Sequence, residues 1–182
     1  RATVGRLLEK ARLDGTVQIK ITKPIPKHLY LKEQFISKFN LSDVVIVEPG
    51  IIDQDKCDLV GQAAAELLTS ILFPGCKLGL AWSRTASHMV EHLNRSDIPP
   101  NISIHDVTGT ILENRTDFAV SWRVAEKLKV SLDHLPVPVV MDNSEAREAI
   151  LKEKSISLAL SNAGNVDIAL VGLGSIDQDS SL

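Results

Sequence analysis

The sequence predicts an α/β fold built on a parallel sheet, and three observations point there. Short β-branched runs are each followed by a Gly- or Ser-bearing loop and an amphipathic helix, the alternation of α/β proteins. The runs are close to continuously apolar, as strands covered on both faces must be. At 182 residues, 44% hydrophobic and 24% charged, the chain can bury roughly 70% of its unfolded surface, so a stable core needs no disulfide or metal staple.

Taken in order, Thr3 to Leu13 places Val4, Leu7, Leu8 and Ala11 at i, i+3, i+4 and i+7, one face of a helix that Gly15 ends. Thr16 to Ile21 alternates Val17, Ile19 and Ile21 with Gln18 and Lys20, a half-buried strand that stops before Pro24 and Pro26. From there strands are predicted at Val44 to Val47, Lys77 to Ala81, Ile102 to Val107, Val137 to Met141 and Val166 to Val171. Helices are predicted at Leu31 to Phe39, Leu59 to Leu72, Ala86 to Leu93, Asp117 to Leu128, Glu145 to Lys152 and Ile156 to Asn162. Thr116 and Ser144 are candidate N-caps, and Pro74-Gly75 marks a sharp stop.

No apolar run approaches the roughly 18 to 20 residues of a membrane span, and no secretory leader pattern opens the chain. Cys57 and Cys76 have no Cys or His neighbours at metal spacing, and two thiols make no disulfide framework, so a cytoplasmic location fits. Charge is uneven. Residues 1 to 27 hold Arg1, Arg6, Lys10, Arg12, Lys20, Lys23 and Lys27 against Glu9 and Asp14, a net of +5 within a chain of net −3. Such asymmetry fits a polyanion-facing N-terminal piece, or equally a solvated basic helix.

Ligands of open parallel sheets bind beyond the carboxyl ends of the strands, where the next helix offers free backbone N–H groups. Four loops occupy that position. Ser83, Arg84 and Thr85 could give hydroxyls and a charged fork to a phosphate, or could be a helix cap with an exposed arginine. Thr108 and Gly109 would let a ligand approach the backbone. Asp142 could accept from sugar hydroxyls, although an Asp-Asn turn before a helix is commonplace. Gly172 and Gly174 form half of a dinucleotide fingerprint without its third glycine. The chain lacks the nucleophile elbow, the phosphate-binding P-loop and the zinc-protease helix, and nothing in it calls for a cofactor. His88 and His92, four apart, read as a surface pair, and Trp82 and Trp122 as packing residues.

The ordered loops resemble the sorbitol-operon regulator family (SorC/DeoR type). The stretches that carry the resemblance are Arg1-Ala-Thr-Val-Gly-Arg-Leu-Leu-Glu-Lys-Ala-Arg-Leu-Asp-Gly-Thr-Val17, Val60-Gly-Gln-Ala-Ala-Ala-Glu-Leu-Leu68, Leu80-Ala-Trp-Ser-Arg-Thr85 and Asp167-Ile-Ala-Leu-Val-Gly-Leu-Gly-Ser175. The family usually carries Gly where this chain has Ser83, and Ser where it has Gly5. The resemblance implies the end of a winged helix-turn-helix over residues 1–23, a linker over 24–30, and over 31–182 an effector domain related to sugar-phosphate isomerase and CoA-transferase folds. It further implies that DNA-binding helices precede Arg1 and that a further quarter to a third of the effector domain follows.

The expected function is therefore a transcriptional regulator, not an enzyme, whose effector domain binds a phosphorylated sugar and switches operator affinity. Arg1, Thr3 and Arg6 would face operator DNA on one broad helix face, and a homo-oligomer, dimer or tetramer, would present paired recognition helices. The alternative is a sugar-phosphate isomerase or CoA-transferase-like enzyme on the same fold, with Asp142 as its carboxylate base.

Overall fold

A computed structural model describes residues 2–14, 16, 27–48, 55–110 and 119–174. The chain divides into two compact units, Arg1–Ile46 and Val47–Leu182.

The first unit holds two helices, α1 (Ala2–Leu13) and α2 (Lys27–Phe39). On α1, Val4 and Leu7 of the predicted apolar face are 61% and 62% exposed. Past its end, both the backbone N–H and the hydroxyl of Thr16 donate to Asp14 Oδ1. These two bonds, the hydroxyl's first, hold the Asp14 carboxyl below its ordinary value. Along α2, Phe35 and Phe39 are four apart and stack with centroids 5.6 Å apart. Beyond the helix, Asp43 pairs with Lys32, and the Val44 N–H donates to it. The Lys32 ammonium, then that N–H, draw its carboxyl below the usual range.

The second unit carries the sheet. Its elements are α3 (Lys56–Ile71), β1 (Lys77–Leu80), α4 (Arg84–His92), β2 (Ser103–Asp106), α5 (Val120–Leu128), β3 (Ser131–Asp133), α6 (Ser144–Lys152), α7 (Lys154–Ala163) and β4 (Ile168–Leu170), with a single 3-10 turn at Arg95–Asp97. The strands run parallel in the order β3-β2-β1-β4. Three of these helices begin on a side-chain cap. Asp55 accepts from Cys57 N at the start of α3, Ser83 from Ala86 N at α4, and Asn143 from Ala146 N at α6. At the far end of α5, Lys129 turns left-handed with φ 53° and closes the helix.

Register divides the strand residues between two faces. Leu78 lies beside Ile104 and Ile168, and Leu80 beside Asp106 and Leu170. That face is covered by α4 and α5, whose Met89, Val90, Val120, Val124 and Leu128 join Leu78, Leu80 and Ile104 in the main core, with Ala65 and Leu68 of α3 behind α4. Cys76 is enclosed in the same core, and burial pushes its thiol up. The other face offers Gly79, Ser103, His105, Asp133 and Ala169, and α7 meets it through Asn162, whose Nδ2 donates to Asp133 Oδ2 at 2.6 Å.

Two predicted strands are corrected. Val44 to Val47 pairs with no strand among the described residues, and Val45 is half exposed. A β-branched run without a ladder partner has no reason to become a strand. Val137 to Met141 forms no strand either: Pro136 and Pro138 remove alternate donors, and one isolated bridge remains at Pro138. The strand in that part of the chain is Ser131–Asp133, which pairs with β2. The α6 cap is Asn143 rather than Ser144. Thr116 and most of the Thr16 to Ile21 strand lie outside the described residues.

Candidate functional site

Strand order decides where a ligand can enter. From β1 the chain winds outward through β2 to β3, then returns to place β4 on the opposite side of β1. Winding therefore reverses between β1 and β4, and connections on the two sides of that point leave in opposite directions. In open α/β folds the carboxyl edge of the sheet at such a reversal is the usual ligand position. The loops lining it are 81–83 after β1 and 171–174 after β4, with 107–110 after β2 alongside.

Of the predicted site residues, Ser83 and Gly172 come together here. A Cβ at position 172 would stand 2.6 Å from Ser83 Cβ and 3.0 Å from its Oγ, so only glycine allows the two loops to meet. Ser83 Oγ accepts the Ala86 N–H at 2.9 Å, and its own hydrogen stays free to be donated. Thr85 is half-buried in the first turn of α4, and Arg84 beside it is exposed. The N-terminus of α4 thus offers backbone N–H groups, two hydroxyls and a guanidinium within one turn, with the helix dipole favouring negative charge.

Thr108 and Gly109 follow β2, next to β1 in the sheet. Gly109 is needed for packing: a Cβ there would lie 2.6 Å from the Val137 carbonyl oxygen and 2.7 Å from that of Pro138. Thr110 N donates to Val137 O at 3.0 Å and fixes the same approach. Asp142 is exposed in the turn before α6, and Gly174 has open space around it, so neither is drawn to Ser83 by any contact. Among the residues expected to face DNA, Arg6 is exposed on α1, Thr3 lies within that helix, and Arg1 is outside the described residues.

Sequence reasoning missed two residues at this edge. Asp106 ends β2 with its side chain 2% exposed, and its Oδ2 accepts from Leu135 N at 3.0 Å and His134 Nδ1 at 2.6 Å. His134 follows β3 directly and keeps half its side chain in solvent. The Asp106 signal was available, as an acid closing an apolar strand. His134 was hidden because Ser131–Asp133 has one apolar residue and does not look like a strand. Among the described residues no cluster of ligating side chains could hold a metal ion, and no helix is long and apolar enough to cross a membrane.

The family described as "Putative sugar-binding domain" matches residues 23–182. The chain belongs to this sugar-binding domain family. Its similarity to the sorbitol operon regulator of Klebsiella pneumoniae is 30% identity over 180 residues, 96% of this chain and 57% of that protein. To the transcriptional regulator LsrR of Escherichia coli K12 it is 24% over 178 residues, 98% of this chain and 54% of that one. The crystal structure of the full-length sorbitol operon regulator SorC from Klebsiella pneumoniae superposes with a TM-score of 0.70 at 27% identity, covering 96% of this chain and 58% of that one. The fold of this sugar-binding domain is therefore that of the SorC/DeoR regulators, as the sequence resemblance implied. Its curated relatives are named as transcriptional regulators and not as enzymes. The chain spans about half the length of those relatives.

Proposed function

We propose that the chain is the effector-sensing part of a cytoplasmic transcriptional regulator and binds a phosphorylated sugar at the carboxyl edge of its sheet. The observation that carries this is the meeting of Ser83 and Gly172 at the point where the winding reverses, which sets the α4 N-terminus at that edge of a sugar-binding domain. The phosphate sits against the first turn of α4, held by its backbone N–H groups with Ser83, Thr85 and the Arg84 fork. Thr108 and Gly109 flank it on the β2 side, Gly172 and Gly174 on the β4 side, and Asp142 takes a sugar hydroxyl. Calorimetry with ribose 5-phosphate and glucosamine 6-phosphate tests the site. Thr85→Val is expected to weaken binding by about 1–3 kcal/mol, because the phosphate loses a charge-assisted hydrogen bond. Unchanged affinity removes this loop from the site.

In this reading residues 1–23 end a winged helix-turn-helix, 24–30 lead out of it, and 31–182 belong to the effector domain. Arg1, Thr3 and Arg6 then face operator DNA, and the protein works as a dimer or tetramer because helix-turn-helix operators are read as paired half-sites. Sedimentation and gel-shift titration of a chain of the relatives' length check both. Arg6→Ala is expected to weaken operator binding without changing the oligomer, and a monomer at micromolar concentration contradicts the assembly. The enzyme alternative is disfavoured because its one candidate base, Asp142, is exposed in the turn before α6 and no contact brings it to the other site residues, whereas a general base must stand within hydrogen-bond reach of the proton it takes.

A further inference from the structure

Asp106 poses a physical question. Register sets it level with Leu80, and Leu80 in turn level with Leu170, so two of three neighbouring strands close on leucine and the middle of the sheet's β1–β3 half closes on a buried acid. Burying a carboxylate is costly unless hydrogen bonds meet its charge. Here two donors meet it, the Leu135 N–H and His134 Nδ1. The first closes the backbone after β3. The second ties down Nδ1 of an imidazole whose side chain stays half in solvent, a bond that favours the Nδ1–H tautomer and leaves Nε2 as the acceptor nitrogen.

That nitrogen is weakly engaged. Thr110 Oγ1 lies 3.5 Å from it, and the threonine's own hydrogen is donated to the Leu135 carbonyl at 3.0 Å. Since His105 pairs with Asp133, His134 follows level with Asp106 at the carboxyl edge, two strands away from the α4 N-terminus. Two strand spacings come to about 10 Å, a distance that a phosphorylated sugar can span.

We propose that His134 contacts a hydroxyl of the sugar through Nε2, and that Asp106 is the positioning residue that holds its ring. This rests on the phosphate site at α4 and adds the sugar end of the same pocket. The test is calorimetry on the intact chain with three probes: inorganic phosphate, ribose 5-phosphate and glucosamine 6-phosphate. His134→Ala is expected to weaken binding of at least one sugar phosphate about five- to ten-fold, the worth of one hydrogen bond, and to leave inorganic phosphate unchanged. His134→Gln, which keeps a polar tip, recovers part of that loss. Asp106→Asn, which removes the anchor without touching ligand, shows the same split between probes. Equal losses on phosphate and sugar phosphate would mean that the pair only supports the fold and would overturn the proposal. So would unchanged affinity in His134→Ala alongside a loss in Thr85→Val, an outcome that leaves the phosphate site standing. If none of the three probes binds the unaltered chain, the phosphate site and its sugar end fall together.

Discussion

The two faces of the sheet are held by different forces. On one, Leu78, Leu80 and Ile104 meet Met89, Val124 and Leu128 with no exposed surface to speak of, and attachment there is the removal of apolar area from water. On the other, the side chains of Val107 and Val166 crowd Gly79, Ala159 of α7 is buried, and a line of polar groups adds direction to the contact with α7. Ser103 Oγ lies 2.9 Å from His105 Nε2, His105 Nδ1 is 3.4 Å from Asp133 Oδ2, and Asn162 donates to that same oxygen. His105 is 8% exposed, and its Nδ1 approaches Asp133 without an aligned hydrogen bond. Apolar burial is large and indifferent to direction; a hydrogen-bonded line is weaker in net terms and demands a particular placement. The difference teaches that the α4–α5 face makes this sheet stable, while the α7 face decides how α7, and with it the approach to β4, is set.

The comparison can be broken from either side. The largest effect is expected on the apolar face. Leu78→Ala should cost about 2–5 kcal/mol, the transfer term plus the cavity left at the centre of β1, read as a lower urea midpoint with unchanged slope. A cost under about 1 kcal/mol would mean that the face is loosely packed. The smaller effect belongs to the polar face, where Asn162→Ala should cost about 1 kcal/mol by removing a donor that Asp133 can replace with water. Hydrogen exchange sharpens the contrast: Asn162→Ala should speed exchange in α7 and leave α4 and α5 protected, whereas Leu78→Ala should speed all three. Uniform loss of protection in both variants would show that the two faces open as one unit.

Much of the fold was legible along the chain because the signals are local. Helices α3, α4, α6 and α7 were recognisable by their 3.6-residue period. Strands β1, β2 and β4 were recognisable as β-branched or Leu-rich runs between turn residues. Two failures share one cause. Val44 to Val47 looks like a strand and has no partner among the described residues; Ser131–Asp133 has one apolar residue and is hydrogen-bonded along β2. Strand formation depends on a partner, which composition does not reveal. The candidate site divides in the same way. Ser83, Arg84 and Thr85 could be named because a loop between a strand and a helix is written in consecutive residues. Asp106 and His134 lie 28 positions apart and become a pair only when β3 docks against β2.

By itself, then, the sequence determined the α/β class, the run of amphipathic helices, the polar cap of α4 and the small residues at 109 and 172. Each follows from side-chain type and short-range spacing. Tertiary structure alone decided the strand order, and with it the reversal of winding between β1 and β4, the need for glycine at 172 against Ser83, and the anchoring of His134 by a buried acid. These depend on which segments distant in the chain lie side by side, and that choice is made by the sum of burial and hydrogen bonding over the whole domain, not by any one stretch of it.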